Sequence, residues 1–124
     1  MVVKSDWLLN LFSKIAGSRV LGMMWIPPFI WVRKDSDKYV INHERVHLLQ
    51  WLEVFFVSLF LWMPFTLLVF GSPFIGILWA YSTWHVIYLS FYIIWGYKNN
   101  PFEKEANANQ IYEQRSWFDW IGYI

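Results

Sequence analysis

The segment His43-Glu44-Arg45-Val46-His47 places two imidazoles and a carboxylate within one short stretch of chain. Residues four positions apart lie on the same face of a helix, so His43 and His47 can both reach one metal ion. Glu44 lies beside that face, where its carboxylate can take a proton from an attacking water molecule. The spacing therefore predicts a zinc-dependent hydrolytic site, with the two histidines as metal ligands and Glu44 as the catalytic base. The alternative is a pair of solvated histidines with no metal.

A catalytic zinc ion needs a third protein ligand and keeps one position open. The candidate side chains are His85, Glu53, Glu103 and Glu105. His85 falls in the middle of a long apolar segment, well away from the motif. Glu53 lies six residues beyond His47 on the same helix and points elsewhere. The third ligand is therefore expected on the polar segment that begins near residue 100.

Glu103 and Glu105 are two residues apart, so only one of them can face the metal squarely from a helix. Glu103 has a competing structural role, because it occupies the last position of a capping box that begins at Asn100. Glu105 lies on the face of this helix that is expected to dock, together with Phe102, Ala106, Asn109 and Tyr112. We therefore favour Glu105 as the third ligand, with Glu103 as the alternative.

The elements that position these residues belong to an unusually apolar chain. Hydrophobic residues make up 57% and charged residues 15% of its 124 residues, whereas an ordinary soluble domain has about 25% charged residues. A chain this short cannot bury so much apolar surface in its own core, so the excess must face lipid or partner proteins. The net charge of +1 gives no reason to expect nucleic-acid binding. The absence of Cys excludes disulfides and thiolate metal sites.

From Val54 to Tyr97 the sequence contains no Asp, Glu, Lys or Arg, and Gly71-Ser72-Pro73 interrupts this run with turn-forming residues. A helix needs about 20 apolar residues to cross a bilayer. The pattern therefore predicts two transmembrane helices, at residues 54–70 and 74–97. The alternative interpretation is a helical hairpin buried inside a soluble protein. It is disfavoured, because the rest of the chain is too small to cover such a hairpin.

Basic residues lie before and after this hairpin, and the connecting turn has none. By the positive-inside rule, both termini are expected in the cytoplasm. Residues 43–53 would form a helical stem about 16 Å long, which holds the motif in water or among the lipid headgroups.

The predicted fold is thus mainly α and integral to the membrane, a single domain in four parts. Residues 1–41 form an interfacial N-terminal part, with an amphipathic helix from Ser5 to Ala16 and a short β-hairpin or extended segment near residues 23–41. The helical parts are the motif helix with the first span (42–70), the second span (74–97) and a cytoplasmic or interfacial C-terminal helix (101–124). Asn42 is expected to cap the motif helix. Leu8, Leu11, Phe12 and Ile15 share one face of the amphipathic helix, which can rest on the membrane surface or pack against protein.

An HExxH motif followed by a distant helix with a Glu-x-x-Ala-Asp/Asn or Glu-x-x-x-Asp pattern resembles the gluzincin metallopeptidases. The segments INHERVHLLQ and NPFEKEANAN, placed around two membrane spans, are similar to small bacterial integral membrane proteins of this type. The resemblance covers about residues 40–53 and 99–110. HExxH is its specific part.

The resemblance implies that Zn²⁺ is bound by His43, His47 and a later glutamate, with Glu44 as the general base. Two alignments fit, one pairing Glu103 with Asn107 and the other pairing Glu105 with Asn109. In the family an Asp at this later position supports a ligand histidine, and Asn gives weaker support. An extended segment beside the site, here Trp25 to Val32, can also pair with a bound peptide in such proteins. Packing of this segment against the membrane surface is the alternative.

These observations predict a membrane-bound zinc hydrolase, a metallopeptidase that acts at the cytoplasmic surface of a bacterial inner membrane. Its expected partners are the lipid bilayer, a peptide or protein substrate and, through its many aromatic residues, a larger membrane assembly. The alternative function is a non-catalytic structural subunit of such an assembly that retains a zincin-like scaffold. A proton or ion pathway around His85 is a third interpretation.

Overall fold

Helices account for most of the structure, a computed structural model that describes residues 1–109 and 117–124. The α-helices are α1 (Asp6–Ala16), α2 (Lys38–Phe70), α3 (Phe74–Trp95) and α4 (Pro101–Asn109), and a 3-10 helix spans Asp119–Tyr123. The strands are β1 (Val2–Lys4), β2 (Gly22–Met23) and β3 (Ile30–Val32). The prediction of a mainly α chain is confirmed. In place of the β-hairpin or extended segment predicted near residues 23–41, the N-terminal part contains a three-stranded sheet that ends at Val32.

The described residues divide into two compact units. The first contains the sheet, α1, the start of α2 and the end of α4. The second contains the rest of α2, all of α3, the start of α4 and residues 117–124. The boundaries fall inside helices, after Leu48 in α2 and after Lys104 in α4, so two helices contribute residues to both units.

In the first unit, β3 is the central strand of a three-stranded sheet in the order β1-β3-β2. Met23 of β2 pairs with Trp31 of β3 in antiparallel fashion, as expected for a hairpin. Val3 of β1 pairs with the same Trp31 in parallel fashion. Strand β1 was not predicted, because three residues are too few to show the alternating pattern of a strand.

Helix α2 begins at Lys38, earlier than the predicted start at residue 42. The Oδ1 atom of Asp37 accepts the backbone N–H groups of Tyr39 and Val40 at 3.1 and 3.2 Å. Asp37 therefore caps the helix, and the predictions that Asn42 is the cap and that residues 39–41 are extended are wrong. The HExxH motif consequently lies beyond the first turn, where the helical hydrogen-bond pattern is already established.

In the second unit, α2 and α3 form an antiparallel hairpin around Gly71, whose φ of 70° is left-handed. A Cβ atom at Gly76 of α3 would lie 2.6 Å from the carbonyl oxygen of Trp62, so only glycine permits this close approach of the helices. Further along, the Trp51 indole donates to the Tyr81 carbonyl oxygen at 3.0 Å. Both helices are long and apolar enough to cross a membrane.

Helix α4 begins after Asn100, as predicted. The Asn100 Oδ1 atom accepts the Phe102 N–H at 3.0 Å, and its Nδ2 donates to the Tyr88 carbonyl oxygen at 3.3 Å. The start of α4 is therefore fixed both by its own cap and by α3. Residues 110–116 of the C-terminal helix predicted at 101–124 lie outside the described residues, and Asp119–Tyr123 form a 3-10 helix instead of an α-helix.

Candidate metal centre

The two motif histidines lie one turn apart on α2 with their rings facing the same point. Their Nε2 atoms are 3.2 Å apart, and their ring planes are inclined at 83°. Two nitrogens bound to one tetrahedral zinc ion at about 2.0–2.1 Å would be separated by about 3.4 Å. The arrangement of His43 and His47 therefore fits two ligands of a single ion.

Glu103 completes a group of side chains that can hold a metal ion. One ligand atom from each of His43, His47 and Glu103 lies within 4.8 Å of the other two. His47 and Glu103 are buried, and His43 is partly exposed. Two imidazoles and one carboxylate form the donor set of one class of catalytic zinc site, which leaves a fourth position open. The chemistry of these donors fits zinc.

Glu103 is held by contacts within the second unit. The Tyr88 hydroxyl donates to Glu103 Oε1 at 2.6 Å. The side chain of Gln50, which is fully buried, donates from Nε2 to the Phe102 carbonyl oxygen at 3.0 Å. A hydroxyl from α3 and an amide from α2 thus fix both the Glu103 carboxylate and the backbone beside it.

Glu44, the predicted catalytic base, is buried against the edge strand β2. A Cβ atom at Gly22 would lie 3.0 Å from Glu44 Cγ and 3.2 Å from Glu44 Oε1. A side chain at position 22 would therefore press on the carboxylate. The glycine leaves the space that the Glu44 side chain occupies.

Glu105, the favoured third ligand, is fully buried on α4 but is not a member of the group formed by His43, His47 and Glu103. Among the described residues, the geometry favours the alternative, Glu103. Asn109 donates from Nδ2 to the Glu105 backbone carbonyl at 2.9 Å, and Asn107 is exposed. The expected docking face is buried at Phe102 and Ala106, and Tyr112 lies outside the described residues.

Two other candidate ligands do not join the group. Glu53 is buried on α2. His85 lies on α3, with its ring 6.0 Å from that of Tyr81 in a stacked arrangement and 5.2 Å from that of Trp84. His85 is therefore packed among aromatic rings.

The segment expected to pair with a peptide is not an edge strand. β3, its only regular part among the described residues, is flanked by β1 and β2. The free edges of the sheet therefore belong to β1 and β2.

Three residues of the site were missed or undervalued. Gln50 gave a usable signal, because it lies three positions after His47 on the side of α2 that bears the motif. The only sequence signal at Tyr88 is a hydroxyl group within an apolar segment. Gly22 shows no signal in the sequence. Their roles depend on contacts between residues far apart in the chain.

Comparison with known proteins adds no relative: no protein family, curated protein or solved structure matches the chain.

Proposed function

We propose that the protein is a membrane-bound zinc hydrolase, a metallopeptidase whose metal ligands are His43, His47 and Glu103. The observation that carries this proposal is the 3.2 Å separation of the two Nε2 atoms, with a buried carboxylate completing the group. A structural zinc site has four protein ligands, whereas a catalytic site has three. Among the described residues the group has three donors, which favours catalysis. The resemblance of the motif to gluzincins supports the same assignment.

Glu44 is proposed as the general base. Its side chain follows the first ligand directly on α2, and β2 restricts its position. When bound, zinc supplies the Lewis acidity that polarises the scissile carbonyl group. Glu44 takes one proton from the attacking water molecule and delivers it to the nitrogen of the leaving amine. The peptide C–N bond breaks, a C–O bond forms, and the carboxylate is regenerated.

The membrane location is supported by the surface of the two apolar helices. Each helix contains an 18-residue stretch that is its most apolar part. Only 22% of this stretch is buried in α2, and only 11% in α3. A core helix of a soluble protein would be mostly buried, whereas the part of the chain that the structure describes leaves most of these two helices uncovered. We propose that both cross a bilayer. The distribution of Lys and Arg favours cytoplasmic termini, and the resemblance favours a bacterial inner membrane.

The test compares the wild-type chain with Glu44→Gln and, as a matched control, Glu53→Gln. Each substitution exchanges a buried carboxylate on α2 for an amide, and Glu53 lies outside the metal group. Full-length proteins purified in detergent are assayed for zinc by elemental analysis and for cleavage of a fluorogenic peptide library. We expect wild type and Glu53→Gln to bind zinc and cleave, and Glu44→Gln to bind zinc without cleavage.

Two results would contradict the proposal. Cleavage by Glu44→Gln at the wild-type rate would exclude Glu44 as the base. Wild-type protein that binds no zinc at neutral pH would instead favour the alternative, a non-catalytic subunit of a larger membrane complex.

A further inference from the structure

Within the first unit, helix α1 is joined to the neighbouring residues by hydrogen bonds of its polar side chains. Asp6 Oδ1 accepts the Lys34 backbone N–H at 3.0 Å. The guanidinium of Arg33, which is buried, donates to Asn10 Oδ1 at 2.7 Å and to Ser13 Oγ at 3.1 Å. Asp6, Asn10 and Ser13 lie on one side of the helix. The side that faces the sheet is therefore largely polar, with Leu9 as its buried apolar residue.

The opposite side of α1 carries large apolar side chains that are exposed. Trp7, Leu11 and Ile15 are spaced four residues apart, so they form a continuous row that we name the α1 stripe. Their exposed fractions are 75%, 44% and 75%. A helix of a globular unit normally turns such a stripe towards the core. In α1 these three large side chains instead stay exposed, and no other part of residues 1–109 and 117–124 covers the stripe.

The charges around the α1 stripe indicate what covers it. Lys4 precedes the helix and Lys14 lies seven positions after Trp7, almost directly above it on the helix surface; both lysines are exposed. Asp6, the acidic residue of this helix, lies on the attached side. An apolar row flanked by lysines, with a tryptophan at one end, is complementary to the headgroup region of an anionic bilayer.

We propose that the α1 stripe lies in the interfacial layer of a lipid bilayer. Trp7, Leu11 and Ile15 enter the boundary between headgroups and acyl chains, and Lys4 and Lys14 contact lipid phosphates. Lipid is favoured over a protein partner because the same chain carries α2 and α3, which are long and apolar enough to cross a bilayer. The proposal depends on membrane insertion but not on zinc, so it can fail while the hydrolase proposal stands.

The experiment uses the absence of Cys from the chain, which allows a single cysteine to be placed and labelled with a nitroxide in the full-length protein. Labels at Leu11→Cys and Ile15→Cys report on the stripe. Ala16→Cys, on the side of α1 opposite Trp7, and Lys34→Cys are exposed controls. Val86→Cys, exposed on α3, is the reference for insertion. The proteins are reconstituted in phosphatidylcholine vesicles with and without phosphatidylglycerol, and spin relaxation by oxygen and by a water-soluble nickel chelate is compared.

We expect the labels at positions 11, 15 and 86 to respond more to oxygen than to nickel, and those at 16 and 34 to show the reverse. Phosphatidylglycerol should increase the oxygen preference at 11 and 15. Nickel access at 11 and 15 equal to that at 34 would overturn the proposal, and so would protection from both reagents, which indicates a protein contact. An unchanged response to phosphatidylglycerol would overturn the assignment of Lys4 and Lys14 to lipid phosphates.

Discussion

Tyr88 of α3 and Glu103 of α4 are joined by a hydrogen bond of 2.6 Å from the phenol hydroxyl to Oε1. This length is typical of a hydroxyl that donates to an ionised carboxylate. The Tyr88 ring also lies parallel to that of Phe102, with 4° between the planes and 6.3 Å between the centroids. A residue of the second apolar helix thus orients the carboxylate that we propose as the third metal ligand.

The substitution Tyr88→Phe removes this hydrogen bond and keeps the ring that packs on Phe102. We expect the zinc affinity to fall by about 10- to 100-fold, since groups that orient metal ligands typically contribute this much. Competition with a fluorescent zinc chelator measures the change. Tyr92→Phe, one turn further along α3 at an exposed position, is the control and should bind zinc like the wild type. Equal affinities for both variants would show that Tyr88 does not orient the ligand.

Glu103→Gln and Glu105→Gln distinguish the two candidate third ligands. Both residues are buried on α4, so each substitution exchanges a buried carboxylate for an amide. Because Glu103 belongs to the group with His43 and His47, we expect Glu103→Gln to lose most of its zinc during dialysis against a mild chelator. Glu105→Gln should retain it. The opposite result would restore Glu105, the ligand favoured by the sequence, and would contradict the geometric argument.

The sequence predicts those parts of the site whose geometry is set by the spacing of residues along a single helix. His43 and His47 are one helical turn apart in the sequence, so their convergence follows from the helix alone. The third ligand does not follow in this way. Glu103 and Glu105 are almost equivalent along the chain, and the difference between them arises from distant residues such as Tyr88 and Gln50.

The fold shows the same division. The two apolar helices were predicted because a long uncharged segment needs no tertiary information to be recognised. The start of α2 was misplaced, because Asp37 and Asn42 are both residue types that cap helices. The sequence alone does not show which of them accepts the first backbone N–H groups of the helix, and in the structure it is Asp37. Strand β1 is stabilised by pairing with β3, which lies almost 30 residues later in the sequence. Its three residues are too few to show the alternation of apolar and polar residues that reveals a strand.

Gly22→Ala is expected to impair catalysis without removing the metal. The added methyl group would lie 3.0 Å from Glu44 Cγ, so the carboxylate must shift by a few tenths of an ångström. Because a misplacement of 1 Å can cost about 100-fold in rate, we expect kcat to fall by about tenfold. Zinc content should be unchanged. Gly122→Ala is the control, since no atom of the described residues lies within 4 Å of a Cβ at that position. Loss of zinc from Gly22→Ala would indicate a wider structural effect.

Gly76→Ala is expected to destabilise the pairing of α2 and α3. The new methyl group would meet the Trp62 carbonyl oxygen at 2.6 Å and the Met63 Cα at 2.7 Å. Both are backbone atoms, so the strain cannot be relieved by rotation of a side chain, and the helices must separate. Overpacking of this kind typically costs about 1–3 kcal/mol. The free energy of unfolding, measured by thermal or denaturant titration in detergent micelles, should fall by that amount, whereas Gly122→Ala should leave it unchanged. A Gly76→Ala protein as stable as the wild type would show that α2 and α3 are not packed this closely.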